Sequence, residues 1–223
     1  AGSGYDPQKP FEGRDPRFYA SVLYDGAVWM DRETETFFGG KDDANDPAAA
    51  QPWNATHTGY YLRKFMDEKV PPSGSSVKMT SPWIHFRYAE ILLNYAEAKF
   101  EAGEEGTARI YLNKVRQRTG VKMPDINDTG DVLRKRIQNE RRVELAFEHH
   151  RFFDVRRWKI AETTEKIPLQ KMVITKENSV KKYDIQTLYN RDFKSHQYLM
   201  PIPRTEIEKS MNTLTQNDGY ATK

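Results

Sequence analysis

The sequence predicts a mainly α fold in which an antiparallel helix pair and a long buried helix are set among irregular loops and short β-hairpins. Three observations carry that expectation. Apolar residues recur three and four apart through two consecutive segments after Trp83. No proline interrupts the stretch from Asp131 to Trp158. Before Trp83, by contrast, Gly, Pro and Asp punctuate the chain too often for any long helix.

Residues 5–82 are read as a loop-rich aromatic segment with a hairpin. Arg17 to Tyr24 and Ala27 to Met30 flank Asp25-Gly26, a dipeptide that takes the positive φ angles of a two-residue hairpin turn. Lys41 to Trp53, rich in Asp, Asn, Pro and Ala without a period, is read as a surface loop. Pro71 to Ser76 is read as a second loop, separating this segment from the next.

Residues 83–160 are read as the helical core. Tyr88, Ile91, Leu92, Tyr95, Ala96 and Lys99 define one helix that ends at Ala102-Gly103. Ala108, Tyr111, Leu112 and Val115 define a second, running from about Thr107 to Arg118 and closed by Gly120. The connection Gly103 to Gly106 makes the two antiparallel. Small residues at Ala96, Gly103 and Ala108 give the pair a tetratricopeptide-like skeleton, in which helices approach closely.

The third helix is expected over Asp131 to Trp158, with His149-His150 as its one suspect point. Leu133, Ile137, Val155 and Trp158 share a face with Glu140, Glu144, Glu148 and Arg151, so these charges should be buried and paired. Arg136, Arg141, Arg142 and Arg151 are the expected partners. Residues 161–223 are read as an irregular closing segment. Within it, short strands are expected at Met172–Thr175 and Tyr183–Ile185 around a turn at 177–179, an extended run at Tyr198–Pro203, and a short helix from Arg204 to Ser210.

Composition narrows the chemistry. The 223 residues include 35 Lys plus Arg, 32 Asp plus Glu and no Cys, which excludes disulfide scaffolds, thiolate metal sites and cysteine nucleophiles. A net charge of +3 calls for neither nucleic acid nor an anionic membrane as partner. No window has the roughly 18 apolar residues of a membrane helix. The opening Ala-Gly-Ser-Gly lacks the layout of a signal peptide, so the expectation is an intracellular protein or one whose targeting segment is missing.

Several local patterns carry candidate chemistry. Glutamates 140, 144 and 148, four apart, could form a catalytic carboxylate array, but nearby arginines favour an ion-pair network. A carboxylate metal site is disfavoured because Glu144 plus three is Phe147, not His, and adjacent histidines diverge by about 100° on a helix. Asp42, Asp43, Asn45 and Asp46 offer oxygen ligands without the glycine and distal glutamate of an EF-hand loop. Residues 131–160 hold nine basic and five acidic side chains, an excess of four. Phe147, Phe152, Phe153 and Trp158 interleave them, which points inward rather than to nucleic acid. No Gly-x-Ser-x-Gly elbow or phosphate-binding glycine loop occurs. No metal and no cofactor is expected. The remaining clue is aromatic: flat rings displayed by loops stack on the C–H face of a pyranose. Trp53, between Gln51-Pro52 and Asn54-Ala55, is the best candidate, with Trp29 and Tyr60 behind it.

The motifs together resemble the C-terminal portion of the SusD/RagB family of nutrient-binding outer-membrane lipoproteins of Bacteroidetes. The resemblance rests on Arg14-Asp15-Pro16-Arg17-Phe18, Thr58-Gly59-Tyr60-Tyr61, Arg87-Tyr88-Ala89-Glu90 through Glu97-Ala98, and Leu112 to Gly120. It continues with Glu140-Arg141-Arg142-Val143-Glu144 into Arg151 to Trp158, and closes with Leu199 to Pro203 and Gln216 to Tyr220. His149-His150 stands where the family usually has glycine, and Asp218 where it usually has proline. The resemblance spans residues 5–223. It implies a noncatalytic oligosaccharide-binding protein, lipid-anchored at the outer-membrane cell surface through a segment not present in this chain. It also implies a SusC-like TonB-dependent transporter as partner and further tetratricopeptide-like units upstream. A tetratricopeptide-type protein-interaction scaffold and a hydrolase built on Glu140 and Glu144 are the alternative readings.

Overall fold

A computed structural model describes residues 5–43, 55–70, 82–211 and 213–221. It divides into two compact units, residues 1–150 with 171–186, and residues 151–170 with 187–223. Helix dominates among the described residues, and the sheets are small and two-stranded.

In the first unit, α1 (Pro16–Ser21) occupies part of the chain where a strand was expected. Asp15 caps it by accepting the Arg17 N–H at 3.0 Å, and Pro16 supplies a preset φ at its start. The Asp25-Gly26 turn does form, with Gly26 at φ +86° and the Ala27 N–H donating to the Tyr24 carbonyl at 2.9 Å. Its flanks, however, do not pair with each other. Strand β1 (Val22–Leu23) pairs antiparallel with β4 (Tyr61–Leu62), and β2 (Val28–Trp29) pairs with β3 (Arg32–Glu33). The hairpin of this region therefore turns at Met30-Asp31, where φ values of 50° and 65° supply the hand of a two-residue I′ connection.

The same device recurs between β5 (Leu169–Glu177) and β6 (Val180–Tyr189), joined by Asn178 at 48° and Ser179 at 66°. Both strands run longer than the sequence suggested. Gly59, at φ +81°, lets the chain pass against β5: a Cβ there would lie 2.6 Å from the Met172 carbonyl oxygen. The Met172 N–H in turn donates to the Thr58 carbonyl at 2.9 Å.

Helices α2 (Tyr88–Glu101) and α3 (Glu105–Gln117) form the expected pair around Gly103, at φ +80°. Ala96 and Ala108 are fully buried, and Leu93, Leu112 and Val115 pack with Leu133 and Ile137 of α4 (Gly130–Glu144) into one core.

The long helix expected over 131–158 is broken. Helix α4 stops at Glu144, and α5 (His150–Arg157) starts after a turn in which Phe147 (66°) and His149 (64°) are left-handed. The last carbonyls of α4 are taken by cations from elsewhere in the unit. Arg87 Nη2 donates to the Glu144 carbonyl at 2.7 Å, and Lys64 Nζ to the same carbonyl at 3.4 Å and to that of Ala146, just beyond the helix, at 2.9 Å. Positive charge at a helix C-terminus satisfies orphan acceptors and opposes the dipole, which compensates for a break made without glycine or proline.

The second unit has its own small core of Val155, Ala161 and Phe193, with Ile160 and Tyr198 against it. It carries α6 (Ala161–Thr164), a 3-10 turn at Ser195–Tyr198 and α7 (Arg204–Lys209), whose N-cap is Pro203. The extended run 199–203 is held by side chains. Gln216 exchanges two hydrogen bonds with the Ile202 backbone at 2.8 and 2.9 Å, and Tyr220 donates to the Leu199 carbonyl at 2.8 Å.

Candidate functional site

Glu140 and Glu144 project into the core between the helices. Glu140 accepts from Arg17 Nη1 at 2.5 Å and Arg116 Nη1 at 2.6 Å. Glu144 meets Arg17 at 3.0 Å, Arg87 at 2.6 Å and Arg118 at 2.5 Å. Glu148 is held by Arg87 Nε at 2.7 Å and Lys64 Nζ at 2.5 Å. Burial alone would raise the carboxyls of Glu144 and Glu148. Hydrogen bonds from Arg118, Arg87 and Arg17 to the first, and from Arg87 and Lys64 to the second, hold both below the ordinary range instead. Carboxylates kept ionised and saturated with donors cannot serve as general acids.

The glutamates are paired, as expected, and the cations that meet them include Arg17, Lys64, Arg87, Arg116 and Arg118 from outside the helix. Arg136 of α4 bonds Asp128, Arg141 of α4 bonds Asn94 and Glu97, and Arg151, on α5, bonds Glu165. Neighbours on one helix diverge by about 100° per residue, so a buried carboxylate is met from other elements. Among the described residues, no group of three or more His, Asp or Glu side chains gathers as a metal site.

A pocket of about 390 Å³ opens beside β2, β3 and β4. Trp29 and Tyr61 supply aromatic wall, Leu23, Met30, Leu62 and Met66 aliphatic wall, and Arg32, Thr34 and Asp42 the polar side chains. Trp29 is half-buried, with the Arg63 guanidinium carbon 5.9 Å from its ring centroid. Arg32 grips Asp42 with both terminal nitrogens at 2.7 Å, and the Glu35 N–H adds a third bond to Asp42 at 2.9 Å. Burial would raise the Asp42 carboxyl, but these bonds hold it below its ordinary value.

Of the three rings singled out from the sequence, the two described ones have different surroundings. Trp29 lines this pocket. Tyr60 packs edge-on against Phe11 at 6.0 Å and Phe18 at 6.4 Å, within a cluster that includes Tyr24. Trp53 lies outside the described residues. Tyr61, Arg32 and Asp42 were not singled out for sugar contact. Asp42 carried a signal as a possible cation ligand, whereas the pairing of residues 32 and 42 depends on a loop path that spacing does not encode.

A second depression, of about 580 Å³, lies in the other unit, lined by Lys159, His196, Tyr198 and the 216–219 segment. Gly219, at φ +83°, is pressed on His196 there: a Cβ would lie 2.5 Å from that residue's Cβ. Neither Trp29 nor Tyr60 is in its lining.

Comparison with known proteins adds identity to this geometry. The SusD family is matched over residues 1–220. SusD-like protein P2 of Formosa agariphila is 30% identical over 149 residues, which are 62% of this chain and 26% of that protein. A SusD-like protein from Bacteroides fragilis superimposes with TM-score 0.76 at 32% identity, covering 95% of this chain and 40% of its own. A second B. fragilis structure, described as a SusD-like carbohydrate binding protein, gives TM-score 0.66 at 27% identity, over 93% of this chain and 43% of its own. Surface glycan-binding protein A of Bacteroides thetaiotaomicron, at 24% identity and TM-score 0.58, shares the fold. The chain thus spans well under half the length of these relatives.

Proposed function

The chain belongs to the SusD family, and we propose that it is the part of a cell-surface protein that binds an oligosaccharide without cleaving it, at the pocket walled by Trp29 and Tyr61. The observation that carries this reading is the half-buried indole of Trp29 on an apolar pocket wall, in a chain whose relative at 27% identity is described as carbohydrate binding. Volumes of about 300–1,000 Å³ are usual for small-ligand sites, so 390 Å³ suits one sugar ring and its immediate neighbour. The noncatalytic half of the proposal is supported by the state of Glu140 and Glu144, buried and bonded to guanidinium groups.

Delivery of the bound glycan to a TonB-dependent transporter, and anchoring at the outer membrane, complete the proposal and belong to the longer protein. A glycan array followed by calorimetric titration of hits tests the binding. The expected result is saturable binding that Trp29→Ala weakens, with the oligosaccharide recovered at unchanged length. Recovery of shortened products, or binding indifferent to Trp29, would refute the proposal. Co-purification of the full-length protein with an outer-membrane transporter tests delivery.

A further inference from the structure

We infer that the pocket beside Trp29 selects a neutral 6-deoxyhexose unit, through a methyl group seated against its aliphatic wall. The inference rests on the sugar-binding reading of the same pocket and turns on how its polar side chains are spent. Arg32 donates from both terminal nitrogens to Asp42, and the two charges cancel. The Thr34 hydroxyl, in a buried residue, donates to the Ala27 carbonyl at 2.6 Å. The Tyr61 hydroxyl donates to the Asp42 carbonyl at 2.8 Å and receives the Thr56 N–H at 3.3 Å. Among the described residues, the side chains lining the pocket thus bring no net charge: Arg32 and Asp42 pair with each other, and the Thr34 and Tyr61 hydroxyls are bonded to backbone groups.

A ligand hydroxyl entering such a wall competes with bonds already made, and a carboxylate gives up its water with no net positive charge in the described lining to offset the loss. The aliphatic lining has the opposite character. Leu62 and Met66 are 41% and 45% exposed, so part of their apolar surface is left for a ligand to cover, and the thioethers of Met30 and Met66 adapt to an irregular group. A ring that stacks on Trp29 and turns a C–H face or methyl to these side chains gains from both. An N-acetyl group also carries a methyl, but its amide needs hydrogen-bond partners that these side chains have already used. A 6-deoxy sugar carries the methyl alone.

Sugars that differ only at carbon 6 isolate this effect. Glucose and galactose, their 6-deoxy forms and their uronic acids present hydroxymethyl, methyl and carboxylate on otherwise identical rings. Their dissociation constants with the 223-residue chain can be measured by ligand-observed saturation-transfer NMR, which also reports which protons touch the protein. Burying one methyl group is worth about fourfold in affinity. In at least one of the two series the 6-deoxy form should bind about fourfold or more tighter than the parent, with its methyl protons most strongly saturated, and the uronate should bind weakest. Met66→Ala, at a half-exposed position, should reduce the methyl preference to within about twofold while circular dichroism stays unchanged.

A flat series with Trp29-dependent binding would overturn the inference and leave the sugar-binding reading intact, as would a uronate that binds best. Absence of binding by all six sugars, or binding that Trp29→Ala does not alter, would overturn both the inference and the assignment of this pocket.

Discussion

Glu144 and Asp42 are both carboxylates gripped by arginine within the same unit, yet their surroundings differ in kind. The Glu144 side chain has no exposed surface and meets Arg17, Arg87 and Arg118, drawn from the segments carrying α1, α2 and α3. Asp42 is 18% exposed and meets one arginine that is itself 46% exposed. The first arrangement ties the end of α4 to four separate parts of the chain: Lys64 and Arg87 reach its terminal carbonyls, and Arg17 and Arg118 its carboxylate. The second fixes the polarity of a pocket wall. Burial, more than the identity of the charged groups, divides scaffolding from the proposed recognition surface.

The largest break in that contrast should come from Glu144→Ala. Removing one member of a buried ionic cluster takes a partner from Arg17, Arg87 and Arg118 at once, at a cost of about 3–5 kcal/mol. Urea unfolding of the variant should show a loss of that size, a large share of the roughly 5–15 kcal/mol of a domain of ordinary stability. A loss below about 1 kcal/mol would mean that the cluster is no more than a surface pair.

Acid should reproduce the same failure by a different route. Asp15, Glu144 and Glu148 are held below their ordinary values, in each case because hydrogen bonds from cations outweigh burial. Their folded-state values lie under the unfolded ones of about 4, so on acidification the unfolded chain takes up protons first. The stability they contribute is therefore complete above about pH 5 and is lost as the pH falls through 4 toward the folded values. Urea midpoints measured from pH 7 to pH 3 should fall most steeply in that window. In Glu144→Gln, which has lost one of the titrating groups, the fall should be shallower.

Trp29→Ala turns the comparison to the other region. A stacked aromatic ring at a binding surface contributes about 1 kcal/mol or somewhat more, so glycan affinity should fall roughly tenfold. Because Trp29 is half-buried on a two-residue strand, the urea midpoint should move little. A large loss of stability with affinity retained would place the ring in the core.

These two regions also differ in how far the sequence revealed them. Helices α2 and α3 were legible because periodicity, Gly103 and the buried alanines agree on one answer. The burial of Glu140 and Glu144 was legible because they fall on the stripe of Leu133 and Ile137. Their partners were not, since Arg17 lies 123 residues from Glu140 and spacing along one helix says nothing about it. The break at 145–149 was legible only as the suspect point at His149-His150, because its helix end is closed by Lys64 and Arg87 rather than by glycine. The hairpin was displaced because Asp25-Gly26 is the stronger local signal, whereas Met30-Asp31 takes the left-handed turn on account of what β2 and β3 pair with. At the pocket, a tryptophan could be singled out by its chemistry, but a wall assembled from β2, β3, β4 and Asp42 is a property of pairing between strands.

The smallest expected effect is the most exacting test of the contrast. Arg32 and Asp42 form a bidentate pair with good geometry, so counting bonds alone would rank it with the contacts of Glu144. Solvent screening argues otherwise: partly exposed pairs give coupling energies of about 0.2–1 kcal/mol. A double-mutant cycle on Arg32→Ala and Asp42→Ala, read by urea unfolding, should return a value in that range. The coupling should weaken further at 1 M salt, where the Debye length is about 3 Å. The corresponding cycle on Arg17 and Glu144 should give a larger coupling that salt hardly alters, because the pair is sealed from the ions that screen it. Equal couplings in the two cycles would show that geometry outranks burial, and the division between scaffold and recognition surface would have to be redrawn.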